Sequence, residues 1–264
     1  MESVDQHSPL TDAERGRLRE KYRLAPWSCA GGLYGSKRHV ALQRSMLKRA
    51  VGGWGRLLFV SDRKLALVER LVASAWRRPA VRSLMEAAFG ASLPVMDSLG
   101  YVHGILKGIP TDYFLKHAYY RNRQSRPAED VDPARDRCGL IWFAPVLPCL
   151  GSEVVKFLAS CRARFQEFQS DFYVAMLMMN PRAVVCLMSV MYDQDDSTET
   201  LRAKALHGAL LGDMHRAGYE QYRAGLMGWA GLGEDSRDGA RLVGRIKSAL
   251  DPAGTLAPGR YGID

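Results

Sequence analysis

Nothing in this 264-residue sequence approaches the roughly 20 consecutive apolar residues that a membrane-spanning helix needs. Its first residues, Met1-Glu2-Ser3-Val4-Asp5, also lack the basic-then-apolar pattern of a secretion signal. Both absences predict a soluble, cytoplasmic protein with no membrane partner. Cysteine is sparse: Cys29, Cys138, Cys149, Cys161 and Cys186 are odd in number and never spaced Cys-x-x-Cys. That argues against a disulfide framework or a zinc cluster, predicts no metal site and leaves buried, reduced thiols. The formal charge is +9, yet the basic residues are scattered over helical stretches and form no stripe interleaved with aromatics. A nucleic-acid partner is therefore not expected, and the charge suits another anionic partner equally well.

With 47% hydrophobic residues, the chain can bury one large core or two small ones. Thr11-Asp12-Ala13-Glu14 is a capping box that opens a short helix ended at Ala25-Pro26. Residues 30–34 and 57–60 read as strands on either side of a basic helix capped by Ser36. The next helix sets Leu65, Val68, Leu71, Val72 and Trp76 at helical spacing and is broken at Arg78-Pro79. Thr111-Asp112 caps a short aromatic-rich helix in which His117 reads as an ordinary helix histidine. Residues 140–146 read as a strand, followed from Gly151 by a helix with Val154, Leu158, Cys161, Phe165 and Phe168 on one face. Residues 172–179 and 184–191 are strands split by Asn180-Pro181-Arg182, hence a hairpin. A helix from Ser197 is closed by Gly218, residues 219–226 read as a strand, and a last helix over 234–250 carries Leu242, Ile246 and Leu250. Two strand–helix–strand units emerge, and helices and strands do not alternate one for one. The fold class is therefore α+β, an antiparallel sheet covered by helices.

The C-terminal stretch from Asp251 to Ile263 holds two stiff turns around one arginine. Asp251-Pro252 stops the last helix, Gly254 supplies a position open to positive φ, and Pro258-Gly259 turns again to hold out Arg260. Such a device sets a cation against an anion.

Asp-Pro-x-Gly-x-Leu-Ala-Pro-Gly-Arg-x-Gly-Ile resembles the C-terminal motif of the flavin-linked phenol oxidases and dehydrogenases, the vanillyl-alcohol oxidase, 4-cresol methylhydroxylase and eugenol hydroxylase group. Further landmarks follow in family order: Trp27 with Gly32-Leu33-Tyr34-Gly35, then Gly108-Ile109-Pro110-Thr111, then Gly139 with Trp142-Phe143-Ala144-Pro145-Val146. The resemblance implies a cap-domain-like fold with ferredoxin-like repeats, FAD as cofactor, and oxidation of para-substituted phenols by hydride transfer to the flavin, with water adding to the resulting quinone methide. The polar N-terminus, 1–10, reads as disordered for want of apolar anchors, and the resemblance implies a cap (substrate) domain over 11–233 and a segment over 234–264 that packs on the flavin domain.

Carried over residue by residue, the resemblance assigns Tyr222 and Arg223 to catalysis, binding a phenolate oxygen and stabilising its charge. Trp142, Tyr120 and Met176 fall at substrate-side positions, and Arg260 and Tyr119 at flavin-side positions. Ala118 stands where some members anchor flavin through tyrosine, and Leu140 where others use histidine. The strand that carries a family glutamate reads Ala175-Met176-Leu177-Met178, and a later aspartate falls at about Ser189. No general base is named by the residues alone. Met176, Met178, Met179, Met188 and Met191 read as adaptable core or pocket lining.

The resemblance covers only the C-terminal half of the family architecture. Gly52-Gly53-Trp54-Gly55 is the nearest glycine cluster, but it joins a helix to a strand and opens no helix that could cradle a phosphate. Two readings stay open. The chain is the C-terminal part of an FAD-dependent oxidoreductase, partnered by a separate FAD-binding chain, a cytochrome c subunit or a second copy of itself. Alternatively it is a non-catalytic cap module that binds an aromatic small molecule or a partner protein.

Overall fold

Helix ends in the first part of the chain are fixed by local hydrogen bonds that the sequence announces. The computed structural model describes residues 9–123, 130–223, 225, 227 and 237–259, and the chain divides into two units, Leu10–Phe114 and Leu115 onward. In the first unit Thr11 Oγ1 accepts from Glu14 N at 3.2 Å and Glu14 Oε2 accepts from Thr11 N at 2.7 Å, so the capping box forms and opens α1 (Asp12–Tyr22). Ser36 caps α2 (Lys37–Val51) through His39 N. Then come α3 (Asp62–Ala75), α4 (Pro79–Phe89), α5 (Leu93–Asp97) and α6 (Leu99–Leu106). Pro79 and Pro94 sit in the first turns of α4 and α5, where a missing N–H costs nothing.

The core of this unit is small. Val68, Val72 and Ala75 of α3 pack with Met85 of α4 and with Leu93 and Met96 of α5. Leu71 and Trp76, expected inward, remain exposed. Residues 30–34 and 57–60 are not strands, and no strand occurs among the described residues of this unit. The reason is pairing: an extended segment becomes a strand only when a neighbour accepts its backbone hydrogen bonds. The first of the two strand–helix–strand units therefore does not form.

The second unit is built on one long strand. A 3-10 turn (Tyr113–Tyr120) leads into β1 (Cys138–Phe143) and β2 (Pro145–Pro148). After α7 (Gly151–Glu167), β3 (Val174–Asn180) and β4 (Ala183–Asp193) form the expected hairpin, its turn fixed by Asn180 Oδ1, which accepts from Arg182 N and Ala183 N. Then follow α8 (Ser197–Arg216), β5 (Glu220–Gln221) and α9 (Arg237–Leu250).

Both β1 and β2 pair antiparallel with β4 in one unbroken register, from Cys138↔Asp193 through Phe143↔Met188 and Val146↔Val185 to Pro148↔Ala183. The strand expected over 140–146 is thus real and longer than expected. β3 lies on the other edge of β4, and β5 is reduced to two residues beside β2. The fold class holds: an antiparallel sheet with helices on one face.

Period-two alternation sorts the strand residues by face. Ile141, Phe143, Leu147, Val184, Cys186, Met188 and Val190 face α7 and α8, where they meet Phe157, Leu158, Cys161, Phe165, Ala203, Leu206, Leu210 and Met214. Burying each large side chain stabilises by about 1.5–3 kcal/mol. Phe157, absent from the expected stripe of α7, is buried, and Phe168 sits at the margin. Arg164 Nε donates to Asp213 Oδ2 at 2.7 Å and ties α7 to α8, holding the Asp213 carboxyl below its usual range. Cys161 and Cys186 are buried thiols pushed by burial up to about 12 and about 11. Cys29, by contrast, is exposed. Among the described residues no helix is long and apolar enough to cross a membrane.

Past α9, Asp251 Oδ1 accepts from Thr255 N at 3.0 Å and Oδ2 from Leu256 N at 2.8 Å, while Lys247 Nζ donates to Oδ2 at 2.6 Å. These bonds, the Lys247 ammonium foremost, hold the Asp251 carboxyl well below the usual carboxylate range. Gly254 takes the expected positive φ of 63°. Arg260 lies outside the described residues.

Candidate functional site

The sheet face turned away from α7 and α8 carries the candidate site. On it stand Leu140, Trp142 and Val146 of the long strand, Leu187, Ser189 and Met191 of β4, and Ala175 and Leu177 of β3, by the same alternation. Trp142 is the direct cross-strand partner of Ser189 and remains 51% exposed. Tyr222 N donates to Ala144 O at 2.9 Å, which extends the β5 pairing by one residue and sets Tyr222 on the same face as Trp142. Tyr222 is also 51% exposed, and the Arg223 guanidinium lies 5.6 Å from its ring centroid. This cation–π contact is worth about 0.5–1 kcal/mol at an exposed site and keeps the two side chains together.

The polar element of the face comes from the 3-10 turn. His117 Nε2 is 3.1 Å from Ser189 Oγ, and the Tyr173 ring packs on the imidazole at 4.9 Å, tilted by 47°. Ser189 is fully enclosed, so its hydroxyl needs a partner, and His117 provides one. Burial lowers the His117 pKa below the ordinary histidine value, so the ring is neutral at neutral pH.

Buried charge holds the turn in place. Arg121 Nη2 and Arg123 Nη2 converge on Glu199 Oε1 at 2.8 and 2.5 Å, and Glu199 Oε2 accepts from Asp193 N at 2.9 Å. One carboxylate at the start of α8 thereby joins the end of the turn to the end of β4. Tyr119 OH donates to Asp136 Oδ2 at 2.5 Å, and Asn122 Nδ2 donates to Asp136 O at 2.7 Å. Burial and the Asp136 bond push the Tyr119 hydroxyl up to about 12.

Of the residues the sequence singled out, Trp142 and Tyr222 share the open face of the sheet and Arg223 lies against the Tyr222 ring. Met176 is opposite Cys186 and falls on the helix-facing side of the sheet. Tyr120 lines a cleft with Asp171, Phe168, Arg202 and Glu199, and its hydroxyl donates to Asp171 Oδ2 at 3.1 Å. The Tyr119 hydroxyl is turned to Asp136. His117, Ser189 and Tyr173 were not picked out for function. A polar serine inside the apolar run 184–191 was the available signal, because a buried hydroxyl demands a partner.

An aromatic face of this kind suits a flat ring, whether a phenol or the ring end of a flavin. A flavin's pyrophosphate finds no cradle among the described residues. Gly52 donates to Lys48 O at the C-terminal end of α2, and the glycine cluster opens no helix. Among the described residues no group of three or more His, Cys, Asp or Glu side chains is arranged to hold a metal.

The chain is similar, in sequence and in fold, to one region of known flavoproteins. No family model matches the chain. In sequence it is 31% identical over 256 residues to the 1'-carboxy-chondrochloren decarboxylase of Chondromyces crocatus, a match covering 96% of this chain and 45% of the relative. It is 36% identical over 127 residues to the flavoprotein subunit of 4-cresol dehydrogenase (hydroxylating) of Pseudomonas putida, 48% of this chain and 24% of that one. In structure, p-cresol methylhydroxylase with substrate bound superposes with a TM-score of 0.70 at 21% identity, covering 99% of this chain and 42% of that chain. The 4-ethylphenol oxidase of Gulosibacter chungangensis in complex with isoeugenol gives 0.68 at 20% identity, covering 99% and 43%. The chain's homologues and structural neighbours are thus the cap and C-terminal region of the 4-cresol methylhydroxylase and vanillyl-alcohol oxidase family of FAD-linked oxidases. The chain spans less than half the length of these relatives.

Proposed function

We propose that the chain is the substrate-covering half of an FAD-dependent oxidoreductase acting on para-substituted phenols. The observation that carries this reading is the placement of Trp142 and Tyr222 on the same open face of the sheet, with Arg223 against the Tyr222 ring. A phenol stacked on Trp142 receives a hydrogen bond from Tyr222 and the field of the Arg223 cation. Flavin, when bound, supplies the hydride acceptor.

Magnitudes decide whether the face suffices alone. A cation about 4 Å from a phenolate contributes about 1 kcal/mol in bulk water and about 4 kcal/mol at an effective dielectric near 20. At ~1.36 kcal/mol per pKa unit, that lowers a bound phenol's pKa by under one unit when wet and about three when covered. An open sheet binds a phenol; a covered one ionises it. The reading therefore includes a flavin-binding half, or a separate flavin-binding chain, that covers this face. Residues 234–264 are the proposed docking segment: α9 leaves Leu242, Val243, Ile246 and Leu250 exposed, as an undocked amphipathic helix would. The 4-cresol relative is itself a subunit, which supports a partner subunit such as a cytochrome c. The relative matched over most of this chain is a decarboxylase, so a carboxylated para substituent is a second substrate class within this reading.

The test combines a visible spectrum of the purified chain, with and without added FAD, and calorimetric titration with 4-methylphenol. The expected result is phenol binding that Tyr222→Phe and Arg223→Lys weaken about three- to tenfold, the worth of one hydrogen bond. Absence of phenol binding in both preparations would overturn the reading. Phenol binding with no uptake of FAD, alone or with a flavin-binding partner, favours the second reading, a non-catalytic module for aromatic small molecules. That second reading is motivated by the lack of a phosphate cradle among the described residues and by Ala175-Met176-Leu177-Met178 and Ser189 standing where the family resemblance expects acids.

A further inference from the structure

We infer that α2 and the segment after it lie flat on an anionic lipid surface, cations among the headgroups and apolar side chains at the acyl boundary. The inference is independent of the phenol site and starts from the distribution of charge. Residues 10–114 hold 18 of the 37 lysines and arginines but only 8 of the 28 aspartates and glutamates, a formal +10 against +9 for the whole chain. Charge that reads as scattered along the sequence is thus concentrated in the helical unit. Within that unit, the stretch from Lys21 to Ser61 contains eight basic residues and no acidic one.

The helix at the centre of this stretch sorts its residues by face. At about 100° per residue, Lys37, Arg44 and Lys48 form one row and Arg38 and Arg49 another, with only Ala41 and Ser45 between them. Leu42, Met46, Leu47 and Val51 occupy the other half of the helix, interrupted by His39 and Gln43. No residue of α2 is buried, and these four apolar side chains are exposed. Among the described residues none of the five cations has an ion-pair partner; Arg44 instead lies 4.7 Å from the Phe59 ring centroid. Apolar exposure continues past the helix at Trp54, Leu57 and Leu58.

Cations along both edges of an apolar half suit a helix lying in a membrane interface. Its apolar side sinks about 5–10 Å to the acyl boundary while the long cationic stems reach back to the headgroups. A nucleic acid supplies the anions but no apolar layer, and would leave Leu42, Met46, Leu47 and Val51 in water. A groove on an acidic protein would cover a single helix, whereas the exposed apolar surface runs on into the non-helical residues after α2. A lipid surface meets both features. Among the described residues no helix can cross a membrane, but a helix lying on one needs no such length.

The test is co-sedimentation of the purified full chain with lipid vesicles. Vesicles of phosphatidylcholine mixed with phosphatidylglycerol are expected to bind it about a hundredfold or more better than phosphatidylcholine alone, each cation near an anionic surface contributing about fivefold. Lys48→Gln combined with Arg49→Gln should weaken binding about 25-fold, and raising salt from about 0.1 to about 1 M should release the chain. Trp54→Ser should weaken binding several-fold and reduce the blue shift that the vesicles cause in tryptophan emission. All three side chains are exposed, so the variants are expected to keep the wild-type amide spectra. No binding to the anionic vesicles overturns the inference, and so does binding that the Lys48 and Arg49 substitutions leave unchanged. Tighter binding to single-stranded RNA or to polyglutamate, insensitive to Trp54→Ser, assigns the surface to a nucleic acid or an acidic protein and also overturns it. None of these outcomes touches phenol binding, so the two readings fail separately.

Discussion

The sheet unit and the helical unit solve the burial problem to different degrees. In the sheet unit Phe143, Phe165, Leu147, Met188, Leu206, Leu210 and Met214 are all but sealed between β4 and the α7–α8 pair. In the helical unit the core is confined to α3, α4 and α5, while Leu42, Met46, Leu58, Leu67, Trp76 and Leu84 remain exposed and Trp54 is 91% exposed. A helix with its apolar stripe in water is held by caps and pairs worth about 1 kcal/mol or less each. The sheet unit therefore carries the more deeply sealed core and the candidate site.

Mutations can break that contrast. The largest expected effect is Phe165→Ala, which removes a sealed ring and costs the sheet unit about 3–5 kcal/mol. Leu93→Ala is expected to cost the helical unit about 2–4 kcal/mol, because its shallower core collapses more readily around the gap. Residue-level hydrogen exchange measures each unit separately, and equal protection losses in both units from either variant would remove the contrast. Glu199→Gln leaves Arg121 buried without its counter-charge and is expected to cost about 3–5 kcal/mol. It also releases the turn that carries His117, so the ring resonances of His117 should broaden or shift.

Tyr119→Phe is smaller, about 0.5–1.5 kcal/mol for one hydrogen bond, and its sign depends on pH. The Tyr119 hydroxyl is raised in the fold, so its contribution is fully present below the unfolded pKa near 10 and is lost as pH rises through about 12. Wild type should lose stability across that window more steeply than Tyr119→Phe in paired denaturant titrations, and parallel curves would refute the assignment. Last, Trp54→Ser should change stability by no more than about 0.5 kcal/mol, since the ring buries almost nothing.

Local chemistry was the most legible part of the sequence. The Thr11–Glu14 box, the Asn180 hairpin turn and the Asp251–Gly254 stop depend on residues within five positions of one another, and all three form. The α+β class was legible because β4 and its neighbours are long apolar runs. The extended segments at 30–34 and 57–60 misled because an apolar run reveals burial or β-propensity, not whether a partner strand exists. In the candidate site, Trp142 and Tyr222 were singled out through family resemblance, and both fall on the open face of the sheet. His117 was not, because its partner lies 72 positions away and nothing in the local sequence shows that separation closing.

The two sealed thiols give the sheet unit an internal clock. A thiol reagent attacks the thiolate, and Cys161 and Cys186 are both enclosed and held protonated far above neutral pH. Exposed Cys29 and the half-buried Cys138 and Cys149 should label first, whereas Cys161 and Cys186 should label only when the layer between β4 and α7 parts. The slow phase of labelling then times the parting of the helices from the sheet whose other face carries the aromatic candidate site, without any introduced cysteine.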